Sequence, residues 1–326
     1  MDLKTYALSK LVGGSSKESG KAKLTDAYYF CYKNVRIDML SEIDFSECEN
    51  FSYMFNSCSK LTTIPALDTS NGTDFRYMFG NCPILTTIPP LDTSGGMSFD
   101  YMFYSCSSLT TIPALDTSNG TNFSNMFNTC KSLTTIPSLD TSNGTNFSSM
   151  FRYCTDLTTI PPLDTSGGMS FDYMFGNCYN LTTIPALDTS NGTNFNNMFA
   201  ECRKLITIPA LDISSGTSFG YMFNGCYDLT NLTLYNIRKS ITIGSGTSYG
   251  HHLTVDSLVN TIKELCTANY TRTLTMGGTN LAKIADLYCK VTDDANEKKP
   301  MELCESTDEG AMTLAAYAAL KNWQFA

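Results

Sequence analysis

Charged side chains are scarce in this chain, at 16% of 326 residues against roughly 25% in an average protein. The 22 lysines and arginines face 31 acids, a formal charge of -9, and they form no cluster. Neutralising a phosphate backbone needs one, so nucleic acid is not an expected partner. The acidity is spread along the chain and argues for solubility. Histidine occurs only as the adjacent pair His251 and His252. In an extended loop the two would point apart, and no Cys, Asp or Glu lies beside them at zinc-ligand spacing. A solvent-exposed pair is expected there. No serine sits in a G-x-S-x-G elbow, and glycine-rich pieces such as SGGMSF do not follow a strand as G-x-G-x-x-G requires. No catalytic residue, cofactor or metal is therefore expected.

Long apolar runs are missing too. Nothing approaches about 18 apolar residues, so no transmembrane segment is expected. The start, MDLKTYALSKLVGGSSKESGK, has no continuous apolar stretch and does not read as a signal peptide as it stands. Tryptophan occurs once, as Trp323.

What is abundant is repetition. From Ile37 to Asp228 one 24-residue phrase recurs eight times, with a cysteine at the same place in each: Cys58, Cys82, Cys106, Cys130, Cys154, Cys178, Cys202 and Cys226. The commonest wording, from Leu109, is LTTIPALDTSNGTNFSNMFNTCKS. A period of 20 to 50 residues marks supersecondary units that bury their apolar faces only against each other. The length alone would suggest two domains, but a solenoid has no natural size limit.

Within the unit, Phe123, Met126, Phe127 and Cys130 fall at i, i+3, i+4 and i+7, which predicts one face of a two-turn helix. Leu109 to Ile112 reads as a short β-branched strand. It ends at the proline recurring from Pro65 to Pro209, because proline cannot donate to a ladder. Each coil is thus expected to be strand, turn, short helix, turn. The glycines from Gly72 to Gly216 are expected where the backbone needs positive φ. The aspartates from Asp44 to Asp212 are expected to cap their own turns. The alternative, a calcium ladder, offers one carboxylate per coil to an ion that takes six to eight oxygens.

The ladder cysteines are expected to be buried free thiols, since parallel Cβ vectors on stacked coils do not make a disulfide dihedral. Cys289 and Cys304 lie outside the ladder and are available to pair in an oxidising compartment. Both ends read as caps. Ala27–Asn34 looks like a degenerate half-repeat. After Asp228 come a helix with Val255, Leu258, Val259 and Ile262 at core spacing, a strand at Thr271–Met276, a helix opening at Asn280, and a last helix around Ala311–Asn322 carrying Trp323.

The phrase LDTSNGTNFSNMFNTCKSLTTI resembles the BspA-like class of leucine-rich repeats, found in many bacterial surface proteins. There an (F/L)DTSN turn precedes an MF-x-x-C helix and a leucine-rich strand. The likeness covers Ile37 to about Leu234, and TLTMGGTNLAKIADL with ALKNWQFA resembles the closing segment of such proteins. Two departures stand out: IPAL replaces the usual Lx-Lx run, and the Cys289–Cys304 excursion interrupts the closing segment. The expected fold is an α/β solenoid: a leucine-rich-repeat right-handed coil with a narrow parallel sheet and short helices, capped at both ends. Residues 1–36 would form a tail and N-cap, 37–240 the solenoid, and 241–326 a C-terminal cap. The resemblance implies a non-enzymatic adhesion or binding protein at the cell surface or outside the cell, facing a host or bacterial surface protein or glycan. A virion-associated or intracellular scaffold is the alternative.

Two exposed columns are the candidate surfaces. Thr63, Thr87, Thr111, Thr135, Thr159 and Thr183 would line the strand face and suit a repetitive glycan. Tyr77, Tyr101, Tyr173 and Tyr221, with Tyr53, would flank the helices and suit a protein partner, since aromatic residues favour hot spots. This second column is interrupted by Asn125, Ser149 and Asn197. Coil-to-coil variation collects nearby, at Arg76, Asp100, Tyr104, Arg152, Asp172, Tyr179, Arg203 and Tyr227.

Overall fold

The computed structural model describes residues 22–23, 27, 40–41, 43–243, 253–263, 272–276, 280, 284, 287–291, 301–304, 312–320 and 323–325. The chain divides into two compact units, Met1–Gly167 and Gly168–Ala326.

In the first unit, the F-x-x-M-F-x-x-C pattern buries the side chains it predicts. Phe99, Met102, Phe103 and Cys106, and their equivalents one coil on, are fully enclosed. The backbone, however, is not helical. Met102, Tyr104 and Cys106 donate N–H to Phe99, Tyr101 and Phe103, three residues back, the bond of a β-turn. The alternate N–H groups of Phe99, Tyr101, Phe103 and Ser105 donate instead to Asn122, Ser124, Met126 and Asn128 on the next coil. An α-helix would spend all these donors internally. Two residues per coil, such as Tyr101 and Ser105, both at φ 58, turn the chain left-handed. Each costs roughly 1–2 kcal/mol, offset by inter-coil bonds worth about 1 kcal/mol apiece. The apolar spacing of two successive turns and of a helix is the same, which is why the sequence points to the wrong element on the right face.

The extended half departs from expectation for a related reason. Leu85, Ile88 and Leu91 are buried while Thr86 and Thr87 are both exposed. Burial therefore recurs every third residue, the period of polyproline II, instead of every second as in a strand. Thr110 N–H donates to Thr86 O across coils at 3.2 Å, and proline follows three residues later. No continuous parallel sheet forms along this stretch among the described residues of the first unit. Among the described residues its one sheet joins β1 (Ala22–Lys23) in parallel to β2 (Ile43–Asp44). Isolated parallel bridges link Asn50, Asp74, Ser98, Asn122 and Asn146 in turn.

The turn between the halves carries the polar stitching. Asp92, Asp116 and Asp140 each accept from the N–H and Oγ of the serine two residues on, at 2.7–3.1 Å. These carboxylates hold their own turns, and the serine bonds keep Asp92 and Asp140 below the usual carboxylate range. The intervening threonine is buried: Thr93 and Thr117 donate Oγ1–H to Asp116 O and Asp140 O on the following coil, both at 2.7 Å. The recurring glycine does not sit at positive φ. It is there because a phenylalanine ring occupies the space of a Cβ. At Gly144 that atom would lie 2.6 Å from Phe147 Cζ and 2.9 Å from Thr141 O. Gly144→Ala is expected to lower stability by about 1–3 kcal/mol through overpacking, measured by denaturant unfolding. A loss below a few tenths would mean that the ring moves aside freely.

The second unit repeats this coil and then closes. Here the extended half does form strands, β3 (Thr207–Asp212) parallel to β4 (Asn231–Tyr235), with a register shift between Ile208 and Leu211. After β5 (Ile241–Thr242), helix α1 (Val255–Lys263) buries Leu258, Val259 and Ile262, as its spacing predicts. Strand β6 (Arg272–Thr275) lies between β5 and β10 (Trp323–Phe325), parallel to both. A third sheet places β7 (Tyr288–Val291) between β8 (Met301–Cys304) and β9 (Met312–Thr313). Helix α2 (Leu314–Leu320) precedes β10. Trp323 sits on the strand after this helix and is buried, where the sequence suggests the helix itself. In the β7–β8 ladder Cys289 faces Leu303 and Cys304 faces Tyr288, so the two cysteines are not directly opposite. Residues 28–34 of the expected N-cap, and the 292–300 excursion, lie outside the described residues.

Candidate functional surface

The threonine column lies where the extended half meets solvent. Thr63, Thr87, Thr111, Thr135 and Thr159 in the first unit and Thr183 in the second are all exposed. Thr207 continues the second-unit column and bridges to Thr183. The backbone positions these hydroxyls on a surface one threonine wider than expected, because Thr62, Thr86 and Thr110 beside them are exposed as well.

The tyrosine column coincides with the first left-handed position of each coil. Tyr53, Tyr77 and Tyr101 have φ of 58, 53 and 58, and Tyr173 and Tyr221 of 54 and 56. A bulky side chain is rare at such a φ. Asn125 and Asn197 in the same column are residue types that tolerate it. In the first unit the rings stack, Tyr53 on Tyr77 at 4.7 Å and Tyr77 on Tyr101 at 4.3 Å, with Tyr104 edge-on to Tyr101 at 5.4 Å. Partial burial and the two neighbouring rings push the Tyr77 hydroxyl pKa up. Arg76 grips Asp74 through both carboxylate oxygens, and the neighbouring Asp100 is raised by burial although Ser98 donates to it. In the second unit Tyr173 is part-exposed and Tyr221 is 63% exposed. Arg203 lies 4.6 Å over the Tyr179 ring and pairs with Glu201. Tyr227 is exposed.

The cysteine column is internal. Cys82, Cys106, Cys130, Cys154, Cys202 and Cys226 are free and buried, and each Sγ–H points at a phenylalanine carbonyl of the preceding coil at 3.0–3.1 Å. Cys178 is also a buried thiol outside any disulfide. Burial pushes Cys82 up to about 12 and Cys106 well above its ordinary value. The first ladder cysteine breaks the expectation: Cys58 is in a disulfide, and its partner is none of the other ladder cysteines, whose thiols form no disulfide. Equivalent thiols on stacked coils are held parallel, and Cys58 escapes that constraint by bonding outside the ladder.

Sequence reasoning passed over Met97 and Met169. They replace, in SGGM, the threonine of SNGT, whose hydroxyl elsewhere reaches the previous coil, as Thr121 Oγ1 reaches Met97 O. The substitution removes that stitch and leaves thioethers 57% and 54% exposed, one in each unit. Comparing the copies within the chain would have found them. His251 and His252 lie outside the described residues. Among the described residues, no three His, Cys, Asp or Glu side chains gather as metal ligands, and no helix is long and apolar enough to cross a membrane.

A family profile described as "Mycoplasma protein of unknown function, DUF285" matches residues 23–136, 85–183 and 145–245. No curated protein matches the chain. Among solved structures, a leucine-rich repeat protein of T. pallidum is 20% identical over 55% of this chain and 69% of its own, with a TM-score of 0.35. A leucine-rich repeat protein from Bacteroides ovatus ATCC 8483 is 15% identical over 74% of this chain and 97% of its own, with a TM-score of 0.23.

Proposed function

We propose that this chain, which belongs to the DUF285 family of Mycoplasma proteins of unknown function, is a non-enzymatic binding protein that presents its repeat surface to a protein or glycan. The observation that carries this reading is where variation falls. Phe, Met, Phe and Cys recur unchanged and buried, while large aromatic side chains recur outside, at backbone positions that disfavour them. Strain of about 1–3 kcal/mol persists where something else requires the residue. The finer reading is a right-handed, leucine-rich-repeat coil of the BspA-like type, acting at the cell surface. It is supported by the DTSN turn and the MF-x-x-C phrase.

The test is a glycan-array and host-cell binding screen with the full chain. It would run beside a Tyr77→Ala/Tyr101→Ala variant and a Thr111→Lys/Thr135→Lys variant. Saturable binding that falls about tenfold in one pair only locates the surface: the threonine pair reports the extended face, the tyrosine pair the turn face. The absence of any saturable binding would defeat the proposal in favour of a structural scaffold.

A further inference from the structure

The SGGM phrase that breaks the repeat carries a chemistry of its own. It occurs at Ser94–Met97 and again three coils later at Ser166–Met169, so it is not a single stray substitution. Elsewhere two side chains stitch the turn to the coil before it. Asn119 Nδ2–H donates to Ser94 O at 2.7 Å, and Thr121 Oγ1–H donates to Met97 O at 3.3 Å. SGGM can make neither stitch. A Cβ at Gly95 would lie 2.8 Å from Gly72 O, and one at Gly167 would lie 2.8 Å from Gly144 O, so the backbone there sits too close for a side chain. Methionine in turn has no proton to donate. The backbone holds these turns instead. Met97 N–H donates to Thr73 O at 2.9 Å and Met97 O accepts from Thr121 N–H at 3.1 Å, while Met169 O accepts from Thr193 N–H at 2.9 Å.

The sulfurs of the coil fall into two sets. The methionines of the MF pairs, from Met54 to Met222, are fully enclosed, whereas Met97 and Met169 are 57% and 54% exposed. The ladder thiols are enclosed as well, and burial holds Cys82, Cys106, Cys130, Cys202 and Cys226 in the protonated form. A thiol reacts with peroxide as its thiolate, so these five are slow at neutral pH. A thioether needs no deprotonation, so access governs its reaction.

We propose that Met97 and Met169 are reversible oxidation sites, at which a hydroperoxide delivers one oxygen atom to each sulfur without opening the coil. The sulfur lone pair attacks the outer peroxide oxygen, and the S–O bond forms as the O–O bond breaks. Sulfur gives up two electrons and the peroxide takes them. The departing oxygen keeps a proton and leaves as water or an alcohol. The sulfoxide oxygen stands in solvent, so no polar group is buried. The same oxygen on Met102 or Met126 would be enclosed without a partner, which costs stability. Because both sulfoxides are exposed, a methionine sulfoxide reductase can reach and reverse them. The inference goes beyond the binding reading and does not rest on it.

The experiment treats the full chain with hydrogen peroxide at pH 7 and follows each methionine by peptide-mapping mass spectrometry. Met97 and Met169 should oxidise within about tenfold of the rate of free N-acetylmethionine. Met102 and Met126 should be at least about a hundredfold slower, since they wait for the coil to open. In guanidinium chloride all four should react alike. Protein oxidised at Met97 and Met169 should keep its thermal midpoint within about 2 °C, and the two stereospecific methionine sulfoxide reductases should return both sulfurs to the thioether. Met97 or Met169 reacting no faster than Met102 in the folded protein overturns the proposal. So does a loss of folded structure that tracks their oxidation, or a sulfoxide at either position that the reductases leave untouched.

Discussion

Raised above pH 9, this protein is expected to unfold over a narrow range, driven from its interior. Burial raises the thiols of Cys82, Cys106 and Cys130 in the first unit and of Cys202 and Cys226 in the second above their ordinary value of 9.0. Desolvation favours the neutral thiol, and each also donates its proton to a carbonyl. The folded state therefore holds these protons while the unfolded chain releases them above pH 9. Stability from this source is complete below the unfolded value and falls as pH rises toward the folded one, about 12 for Cys82. Each thiol costs about 1.4 kcal/mol per pH unit in that window. Three together cost the first unit about 4 kcal/mol per unit, against a whole-domain stability of about 5–15 kcal/mol. Circular dichroism between pH 8 and 12 should show the transition. A Cys106→Ala/Cys130→Ala variant should lose stability with pH less steeply, whatever its stability at pH 7. An unchanged slope would mean that the thiols do not control alkaline unfolding.

Phe123→Ala is expected to cost about 3–5 kcal/mol, the range for removing a buried aromatic ring. Phe123 is fully buried and stacks on Phe99 and Phe147, 5.9 Å to either side and within 6° of parallel. Its Cζ also fills the space beside Gly120, where a Cβ would approach to 2.7 Å. Coils touch only their neighbours, so one central lesion weakens two interfaces at once. Denaturant unfolding should show the midpoint fall, and the transition should broaden or split as the coils on either side uncouple. A loss under about 1 kcal/mol would mean that the Phe99 and Phe147 rings close over the gap. Thr117→Val tests a different part of the same joint, since it would leave Asp140 O without its buried donor.

Much of the fold was legible because a fixed period with a fixed apolar pattern has few solutions. Phe75, Met78, Phe79 and Cys82 had to face inward together, and they do. The aspartate-serine turn was legible from side chains that bond their own backbone. What was not legible depends on where the backbone donors go. A Phe-x-x-Met-Phe-x-x-Cys phrase buries one face in a helix or in two linked turns. Only the neighbouring coil, by accepting alternate N–H groups, selects the turns. The Thr-Thr-Ile-Pro phrase reads as β because threonine and isoleucine favour strands. With apolar residues three apart, among the described residues it enters a paired strand only at β3, which runs through Pro209 beside β4 with a register shift between Ile208 and Leu211.

The candidate surfaces divide in the same way. Thr63 and Tyr77 could be picked out as recurring positions off the apolar face, but the left-handed φ at Tyr53, Tyr77 and Tyr101 and the stacking of their rings depend on the coil beneath. The exposure of Met97 and Met169 became informative once the hydroxyl that usually fills their place was seen bonding the previous coil. The sequence by itself determined the repeat length, the inward face of every coil and the acid-capped turn, because periodicity and local side-chain bonding are properties of neighbouring residues. Only the tertiary structure decided turn over helix, the close ring approach that demands glycine, the odd disulfide at Cys58 and the spacing of the tyrosines. Turn over helix and the tyrosine spacing depend on groups 23 or 24 residues away, which the stacking of coils brings into hydrogen-bond or ring contact. The glycine contact depends on how the turn folds the phenylalanine three residues on.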